Sequence, residues 1–183
     1  MDQSLLAHEE LAADQKGFLL SYDPGIGWTD FLEKVEDTRQ GHNLPDGHVP
    51  ATFLIAEVEG NLVGRVSIRH SLNPFLRTVG GHIGYAVRPQ FRRRGYAQQI
   101  LKLSLIKAKR LGIDHVLVTC DADNHASRTT IERCGGILEA PLATDKVTTM
   151  KLRYWIDSKA FTPALSSASH RRMASSIGRC SSG

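Results

Sequence analysis

Residues 81–112 read GHIGYAVRPQFRRRGYAQQILKLSLIKAKRLG, and they decide the fold. Residues 83–87 form a short β-compatible run that ends before Pro89, because proline lacks a backbone donor and holds the preceding residue extended. From Ala97 to Leu111 the apolar residues recur at helical spacing, and Gly112 is a residue type that commonly ends a helix. The stretch therefore predicts a strand, a tight loop and a helix.

The loop between this strand and this helix is basic. It contains Arg92, Arg93 and Arg94, followed directly by Gly95. A glycine turn at the start of a helix leaves backbone N–H groups unpaired, with the positive end of the helix dipole behind them. The loop is therefore a candidate site for a phosphate or a pyrophosphate.

Length and composition favour a single globular domain. A chain of 183 residues, 41% of them hydrophobic, can bury a substantial core. No apolar run is long enough to cross a membrane and the first residues lack a signal-peptide pattern, so we expect a cytoplasmic protein with no membrane partner. The three cysteines form no C-x-x-C pair, which argues against a disulfide framework or a metal site.

Charge is segregated along the chain. Residues 1–59 contain 12 acidic and 3 basic residues, whereas residues 60–113 contain 11 basic residues and no acid. Residues 1–157 hold 19 residues of each sign, so the net charge of +4 comes from residues 158–183. One part of the body is suited to anions and another to cations, and a nucleic-acid partner is not expected.

The rest of the chain alternates helix and strand patterns. Helices are predicted over residues 3–20, from Trp28 onward, over 97–111 and over 126–134. Strands are predicted over residues 52–58, 62–70, 83–87, 115–120, 137–140 and 147–156. Glu59-Gly60-Asn61 is a hairpin signal between the first two strands, and no convincing strand precedes Leu5. This order predicts an α/β protein of the α+β type with a mixed sheet.

The C-terminal segment differs from the body. It contains many serines and too few apolar residues to bury a face. Residues 1–157 are therefore predicted to form one domain, and residues 158–183 a disordered basic tail.

The pattern Arg92-x-x-Gly95-x-Ala97, together with the order of elements from about residue 52 to residue 156, resembles the GNAT superfamily of acyl-CoA-dependent N-acyltransferases. The resemblance implies antiparallel strands on the N-terminal side of the sheet, a splayed parallel pair at its centre and flanking helices. It also implies that acetyl-CoA lies in the splay, with its pyrophosphate on the loop and its pantetheine arm along the strand edge. A homodimer is compatible with the resemblance.

The resemblance assigns residues to acetyl-CoA as co-substrate and calls for no metal. Those expected to contact it are Ala86, Val87, Arg92, Arg93, Arg94, Gly95, Tyr96, Ala97, Asn124 and Ser127. Most of these contacts would use backbone N–H groups, so side-chain identity matters mainly at Gly95, where a Cβ would crowd the phosphate. Asn124 is also a candidate helix N-cap, and both roles are compatible.

The implied reaction is transfer of an acetyl group to a primary amine of a small molecule or peptide by direct attack. A base must take a proton from the amine. His82 is the first candidate and His70 the second, although either is equally compatible with a structural histidine. The tyrosine acid common in the family falls at Ile131, which leaves Tyr154, Tyr85 or no dedicated acid. The acidic N-terminal helices predict a cationic acceptor, because in such folds they wall the acceptor cleft.

Three other functions fit parts of the sequence. A Rossmann dinucleotide site would need G-x-G-x-x-G, which is absent. A nucleic-acid-binding module would need a basic face with stacking aromatic residues or a recognition helix, and the charge-balanced body offers little of either. A catalytically silent acyl-CoA sensor on the same fold is the third alternative, and the sequence leaves it open.

Overall fold

The computed structural model describes residues 3–12, 18–139, 151–162 and 171–174. The α-helices in this part of the chain are α1 (Gln3–Ala12), α2 (Trp28–Gln40), α3 (Tyr96–Arg110) and α4 (His125–Arg133). The strands are β1 (Ala51–Val58), β2 (Asn61–Arg69), β3 (Ile83–Val87), β4 (His115–Asp121), β5 (Ile137–Leu138), β6 (Lys151–Asp157) and β7 (Arg171–Ala174). The predicted class is confirmed: antiparallel sheets with flanking helices. No described helix is both long and apolar enough to cross a membrane.

The first sheet has the strand order β3-β2-β1-β7. Its centre is the predicted hairpin of β1 and β2, whose ladder runs from the pair Ala51–Arg69 to the pair Val58–Asn61. Glu59 and Gly60 both have positive φ angles, 51° and 77°, as a tight hairpin turn requires. The hairpin prediction is therefore confirmed.

The second sheet has the order β4-β6-β5. Strands β4 and β6 pair over their whole length, from His115–Asp157 to Asp121–Lys151. The predicted strands over 137–140 and 147–156 are too long: β5 ends at Leu138, β6 begins at Lys151, and residues 140–150 lie outside the described part of the chain. The two sheets are joined by α3, which connects β3 to β4 in the crossover manner typical of parallel strands.

Each face of the first sheet packs against different helices. Helix α3 buries Leu101 and Leu105 against Val66 and Ile68 of β2. On the opposite face, α1 and α2 pack against β1 and β3 through a separate cluster of buried residues, namely Ala7, Leu11, Phe18, Leu19, Phe31, Ile55 and Ala86. Each fully buried large apolar side chain contributes about 1.5–3 kcal/mol. The sheet is thus held on both of its faces.

An ion pair ties α1 to the end of β3. The Arg88 guanidinium, which is buried, donates from Nε and Nη2 to the two carboxylate oxygens of Glu10, both at 2.8 Å. Its Nη1 donates to the Leu62 carbonyl oxygen at 2.9 Å. The hydrogen bond to Arg88 lowers the pKa of Glu10. The predicted helix over residues 3–20 is shorter than expected, since α1 ends at Ala12 and residues 18–20 are not helical.

Two parts of the predicted disordered tail are ordered. The Ser158 hydroxyl is buried and donates to the Ile113 carbonyl oxygen at 2.7 Å. Residues 171–174 form β7, which pairs antiparallel with β1 from Ile55–Ala174 to Val58–Arg171. The prediction of disorder is wrong for these two pieces, because composition does not show that a segment can pair with a distant strand edge.

Candidate active site

Strands β3 and β4 meet at one point and form no ladder. The His82 backbone N–H donates to the Leu117 carbonyl oxygen at 2.7 Å, and the Leu117 N–H donates to the His82 side chain at Nδ1, 2.9 Å away. Gly81 precedes this contact with a φ of 65°, and a Cβ there would lie 2.7 Å from the Leu117 oxygen. The His82 ring therefore takes the place of a backbone acceptor. We call this pair of hydrogen bonds between His82 and Leu117 the pin, and beyond it no ladder joins the two strands.

The outer edge of β3 is open beyond the pin. Arg69 N donates to His82 O at 2.8 Å and Arg88 N to Val63 O at 3.0 Å, which fixes the residues of β3 that bond to β2. Because backbone direction alternates along an antiparallel pair, the N–H and C=O groups of Tyr85 and Val87 face away from β2. The backbone of Val87 therefore faces the open edge, as the role predicted for it requires. The backbone contact expected for Ala86 does not fit this geometry, because Ala86 is opposite Arg65 in a hydrogen-bonded pair and its backbone groups face β2.

The basic loop lies at the end of this open edge. The Arg92 side chain donates from Nε to the Val87 carbonyl oxygen at 3.1 Å. The Arg94 guanidinium lies 5.8 Å from the centre of the Phe91 ring. All four residues from 92 to 95 are nevertheless exposed. The loop thus presents positive charge where the strand edge ends.

Gly95 is the N-cap of α3. Its φ of 78° is a conformation that residues with a side chain rarely adopt, although a Cβ would meet nothing within 4 Å. Backbone conformation alone is therefore enough to favour glycine here, even before a ligand is considered. Gln99 N donates to Gly95 O at 3.2 Å, so the N–H groups of Tyr96, Ala97 and Gln98 have no helical partner.

Across the splay, α4 contributes two predicted residues. The Asn124 side chain accepts from the Ser127 backbone N–H at 3.0 Å, which confirms the N-cap. The Ser127 hydroxyl lies 3.1 Å from the Tyr85 hydroxyl, so a hydrogen bond joins β3 to α4. Burial raises the pKa of Tyr85, and the hydroxyl therefore stays protonated near neutral pH. The sequence named Tyr85 beside Tyr154 as an available hydroxyl, and the contact with Ser127, 42 positions away, distinguishes it.

The two candidate bases both have structural contacts. In His82 the Nδ1 atom is an acceptor, so the neutral ring carries its proton on Nε2. Burial, together with Arg77 and Arg69, lowers the pKa of His82 to about 4. The Nε2 atom of His70 lies 2.8 Å from the Thr52 hydroxyl, and burial also lowers the pKa of His70. This geometry weighs against either ring as the base.

Tyr154 and the cysteines are buried in the core. The Tyr154 hydroxyl donates to Glu132 Oε1 at 3.1 Å, and burial raises the pKa of Tyr154. Cys120 and Cys134 are buried free thiols whose pKa values burial raises. Such thiols are poor nucleophiles. Among the described residues no group of three His, Cys, Asp or Glu side chains could hold a metal ion.

The sheet face opposite α3 carries a pocket and buried positive charge. The pocket lies between α2 and the first sheet, and its lining is Leu20, Ser21, Phe31, Lys34, Val35, Thr38, Ala51, Phe53 and Ser67. Arg65 and Arg69 of β2 share this face with Ser67, because side chains alternate along a strand. Two acids of the predicted acidic wall are already in ion pairs, Glu10 with Arg88 and Glu36 with Arg39.

The chain is similar to known acetyltransferases in sequence pattern and in fold. A family model described as the acetyltransferase (GNAT) family matches residues 21–136. No curated protein matches the chain. Spermidine N-acetyltransferase from Vibrio cholerae, solved with CoA and spermine, is 15% identical with a TM-score of 0.57, over 87% of this chain and 92% of that one.

Two further solved structures show the same likeness. The protein yncA from Salmonella typhimurium, solved with its cofactor acetyl-CoA, is 15% identical with a TM-score of 0.56, over 86% of this chain and 88% of that one. An acetyltransferase from Salmonella typhimurium that modifies the N-terminal serine of a ribosomal protein is 18% identical with a TM-score of 0.51, over 70% of this chain and 72% of that one. At these identities the likeness shows the fold.

Proposed function

Since the chain belongs to the acetyltransferase (GNAT) family, we propose that it transfers the acetyl group of acetyl-CoA to a primary amine by direct attack. The observation that carries this proposal is the open edge of β3, which is pinned to β4 at His82 and ends at a basic loop. An extended pantetheine arm has the shape and the amide groups to pair with such an edge.

Each part of acetyl-CoA has a counterpart along this edge. The unpaired N–H groups at the start of α3, with Arg92, Arg93 and Arg94 beside them, suit the pyrophosphate. The backbone groups of Val87 and Tyr85 suit the pantetheine amides and the thioester carbonyl. Asn124 and Ser127 approach from the opposite side of the splay through α4. The backbone of Ala86 faces β2 rather than this path.

The reaction needs little from the protein beyond positioning. The amine nitrogen attacks the thioester carbonyl carbon, a backbone N–H at the open edge stabilises the oxyanion, and the carbon–sulfur bond breaks as the CoA thiolate leaves. The proton lost by the amine goes to solvent, and the thiolate takes a proton from solvent. Since the Nδ1 atom of His82 and the Nε2 atom of His70 each have a structural contact, we assign neither ring as the base.

Tyr85 is the residue best placed to assist the leaving sulfur. Its hydroxyl crosses the splay to Ser127, whereas the hydroxyl of the buried Tyr154 donates to the exposed Glu132. A thiol has a pKa of about 8.5, below that of a tyrosine, so full proton transfer from Tyr85 would be uphill. Tyr85 therefore acts as a hydrogen-bond donor to the thiolate, a role for which Ile131 has no hydroxyl.

Two measurements test the proposal. Isothermal titration with acetyl-CoA reports binding, and CoA thiol release over a panel of amines reports transfer. We expect binding in the absence of acceptor and thiol release that depends on an amine. The panel includes polyamines, because the acidic N-terminal segment predicts a cationic acceptor, as well as amino acids and peptide N-termini. Failure to bind acetyl-CoA would overturn the proposal.

A catalytically silent acyl-CoA sensor is the second candidate. It is favoured by Ile131 at the position of the usual tyrosine and by the structural contacts of both histidines. A sensor would bind acetyl-CoA with the same dependence on Gly95 but release no thiol with any amine. The two measurements above therefore separate the two functions.

A further inference from the structure

Two arginines of β2 lie on the sheet face opposite α3, beside the splay. The Arg69 Nη1 atom donates to the carbonyl oxygens of Gly80 and Gly81, at 3.1 and 3.2 Å. The Arg65 Nη1 atom lies 3.4 Å from the Gly84 carbonyl oxygen, and a Cβ at Gly84 would be 3.5 Å from Arg69 Nη1. Both guanidinium groups therefore lie next to the N-terminal half of β3, where the thioester would end.

This pair of arginines concentrates positive charge in a poorly solvated place. Arg65 is only 8% exposed. Burial and the nearby charge of Arg69 lower the pKa of Arg65 to about 10, and burial also lowers that of Arg69. Among the described residues Arg69 forms no ion pair, and its side-chain hydrogen bonds go to backbone carbonyl groups. The Arg69 guanidinium, held beside a second cation, is therefore suited to bind an anion.

A mostly apolar pocket lies on the same face of β2 as the arginines, although neither arginine is part of its lining. Ser67, which lies between Arg65 and Arg69 on the same face of β2, is part of its lining. The rest of the lining is mostly apolar, with Phe31 and Val35 from α2 and Phe53 from β1. A ligand that reaches the arginines with a charged group can therefore place an apolar group in this pocket.

We propose that the acceptor is an amino-carboxylate with an apolar side chain, whose carboxylate is bound by Arg69 with Arg65 beside it. This inference rests on the proposed function and names the substrate class of the same site. A guanidinium group binds a carboxylate through two parallel hydrogen bonds, which orients the acceptor as well as holding it. The amine then projects toward the open edge of β3, and the side chain toward Phe31 and Phe53.

The test compares each amino acid with its uncharged amide. Thiol release is measured with L-phenylalanine and L-phenylalaninamide, with L-leucine and L-leucinamide, and with spermidine. We expect kcat/KM to be at least tenfold higher for each acid than for its amide, mostly through KM. In Arg69→Gln, which keeps a donor for the glycine carbonyls and loses the charge, this ratio should fall to about one. Arg69→Lys should restore part of it, and the exposed Arg110→Gln should leave it unchanged.

The outcomes separate a binding role from a structural one. An equal loss with acid and amide in Arg69→Gln would show that Arg69 only supports the turn before β3, and would overturn the inference. A preference for amides or for spermidine would also overturn it while leaving the acetyltransferase function intact. If no amine is acetylated, the proposed function fails. Titration of phenylalanine into the acetyl-CoA-loaded protein then tests the anion site separately, and absence of phenylalanine binding would count against that site.

Discussion

The first sheet has two strand edges that could pair with a further chain, and they differ. The outer edge of β1 is covered by β7 over residues Ile55–Val58. The outer edge of β3 is held to β4 only at the His82–Leu117 pin and then lies open. An unpaired edge offers N–H and C=O groups to any extended chain. The open edge is therefore the one beside the basic loop, where an extended ligand would lie.

The pinned end of the open edge gives the largest expected effect. His82 is neutral in the folded state, with a pKa of about 4 against an ordinary value of 6.5. Its contribution to stability is therefore complete above pH 6.5 and is lost as the pH falls toward 4, by up to about 3 kcal/mol. His82→Asn keeps an acceptor for the Leu117 N–H and does not titrate, so it should lose less stability over this range.

Urea unfolding between pH 7 and pH 4 checks this prediction. The exposed His48→Asn is the matched control and should follow the wild-type protein. Equal pH dependence in wild type and His82→Asn would show that the ring does not hold the pin in its neutral form.

The other end of the open edge is tested at Gly95. A β-branched residue at a φ of 78° is strained by about 1–2 kcal/mol and would distort the start of α3. We expect Gly95→Val to raise the Kd for acetyl-CoA about 30-fold, a change of about 2 kcal/mol. Titration calorimetry measures it.

Gly60 provides the control for strain alone. It has a φ of 77° in the β1–β2 turn, away from the open edge, and a Cβ there would also meet nothing within 4 Å. Gly60→Val should lose similar stability but bind acetyl-CoA normally. Similar binding by the two variants would remove the loop from the site.

The covered edge is tested by two truncations. A chain ending at residue 162 loses β7, whereas a chain ending at residue 174 keeps it. Since a net backbone hydrogen bond contributes about 0.5–1.5 kcal/mol, we expect the shorter chain to be less stable by about 2 kcal/mol and the longer one to match the full chain. Thermal unfolding measures both. Equal stability of the three chains would mean that β7 does not protect the edge of β1.

The smallest effect is expected at Tyr85. Removing its hydroxyl in Tyr85→Phe takes one hydrogen bond from the departing thiolate, about 1 kcal/mol, so kcat should fall about fivefold with the Kd for acetyl-CoA unchanged. Steady-state kinetics alongside titration separate the two quantities. A larger loss of kcat in Tyr154→Phe would assign the hydroxyl to Tyr154 instead.

The open edge could be predicted from the sequence because its parts are local. The strand, the loop and the start of α3 are contiguous, so Pro89 and Gly95 act on their own neighbours. Asn124 could be predicted for the same reason, since an N-cap depends on the residue three positions later. These parts of the site need no knowledge of the distant chain.

The remaining features depend on residues far apart in the sequence. The role of His82 requires Leu117, which is 35 positions away. The pairing of β7 with β1 joins residues more than 100 positions apart, and the composition of the tail gave no sign of it. From the sequence, the arginines of β2 could be recognised only as positive charge. Their position beside Gly84 depends on the register between β2 and β3. Their position relative to the acidic N-terminal helices likewise depends on tertiary packing.

The most direct test of acetyl-CoA binding along the open edge of β3 is hydrogen exchange with and without acetyl-CoA, measured by mass spectrometry at the resolution of single strands. We expect acetyl-CoA to protect the backbone amides of Tyr85, Val87 and residues 95–98, and to leave hydrogen exchange at the β1 edge unchanged. Binding of acetyl-CoA without protection of β3 and the start of α3 would contradict it.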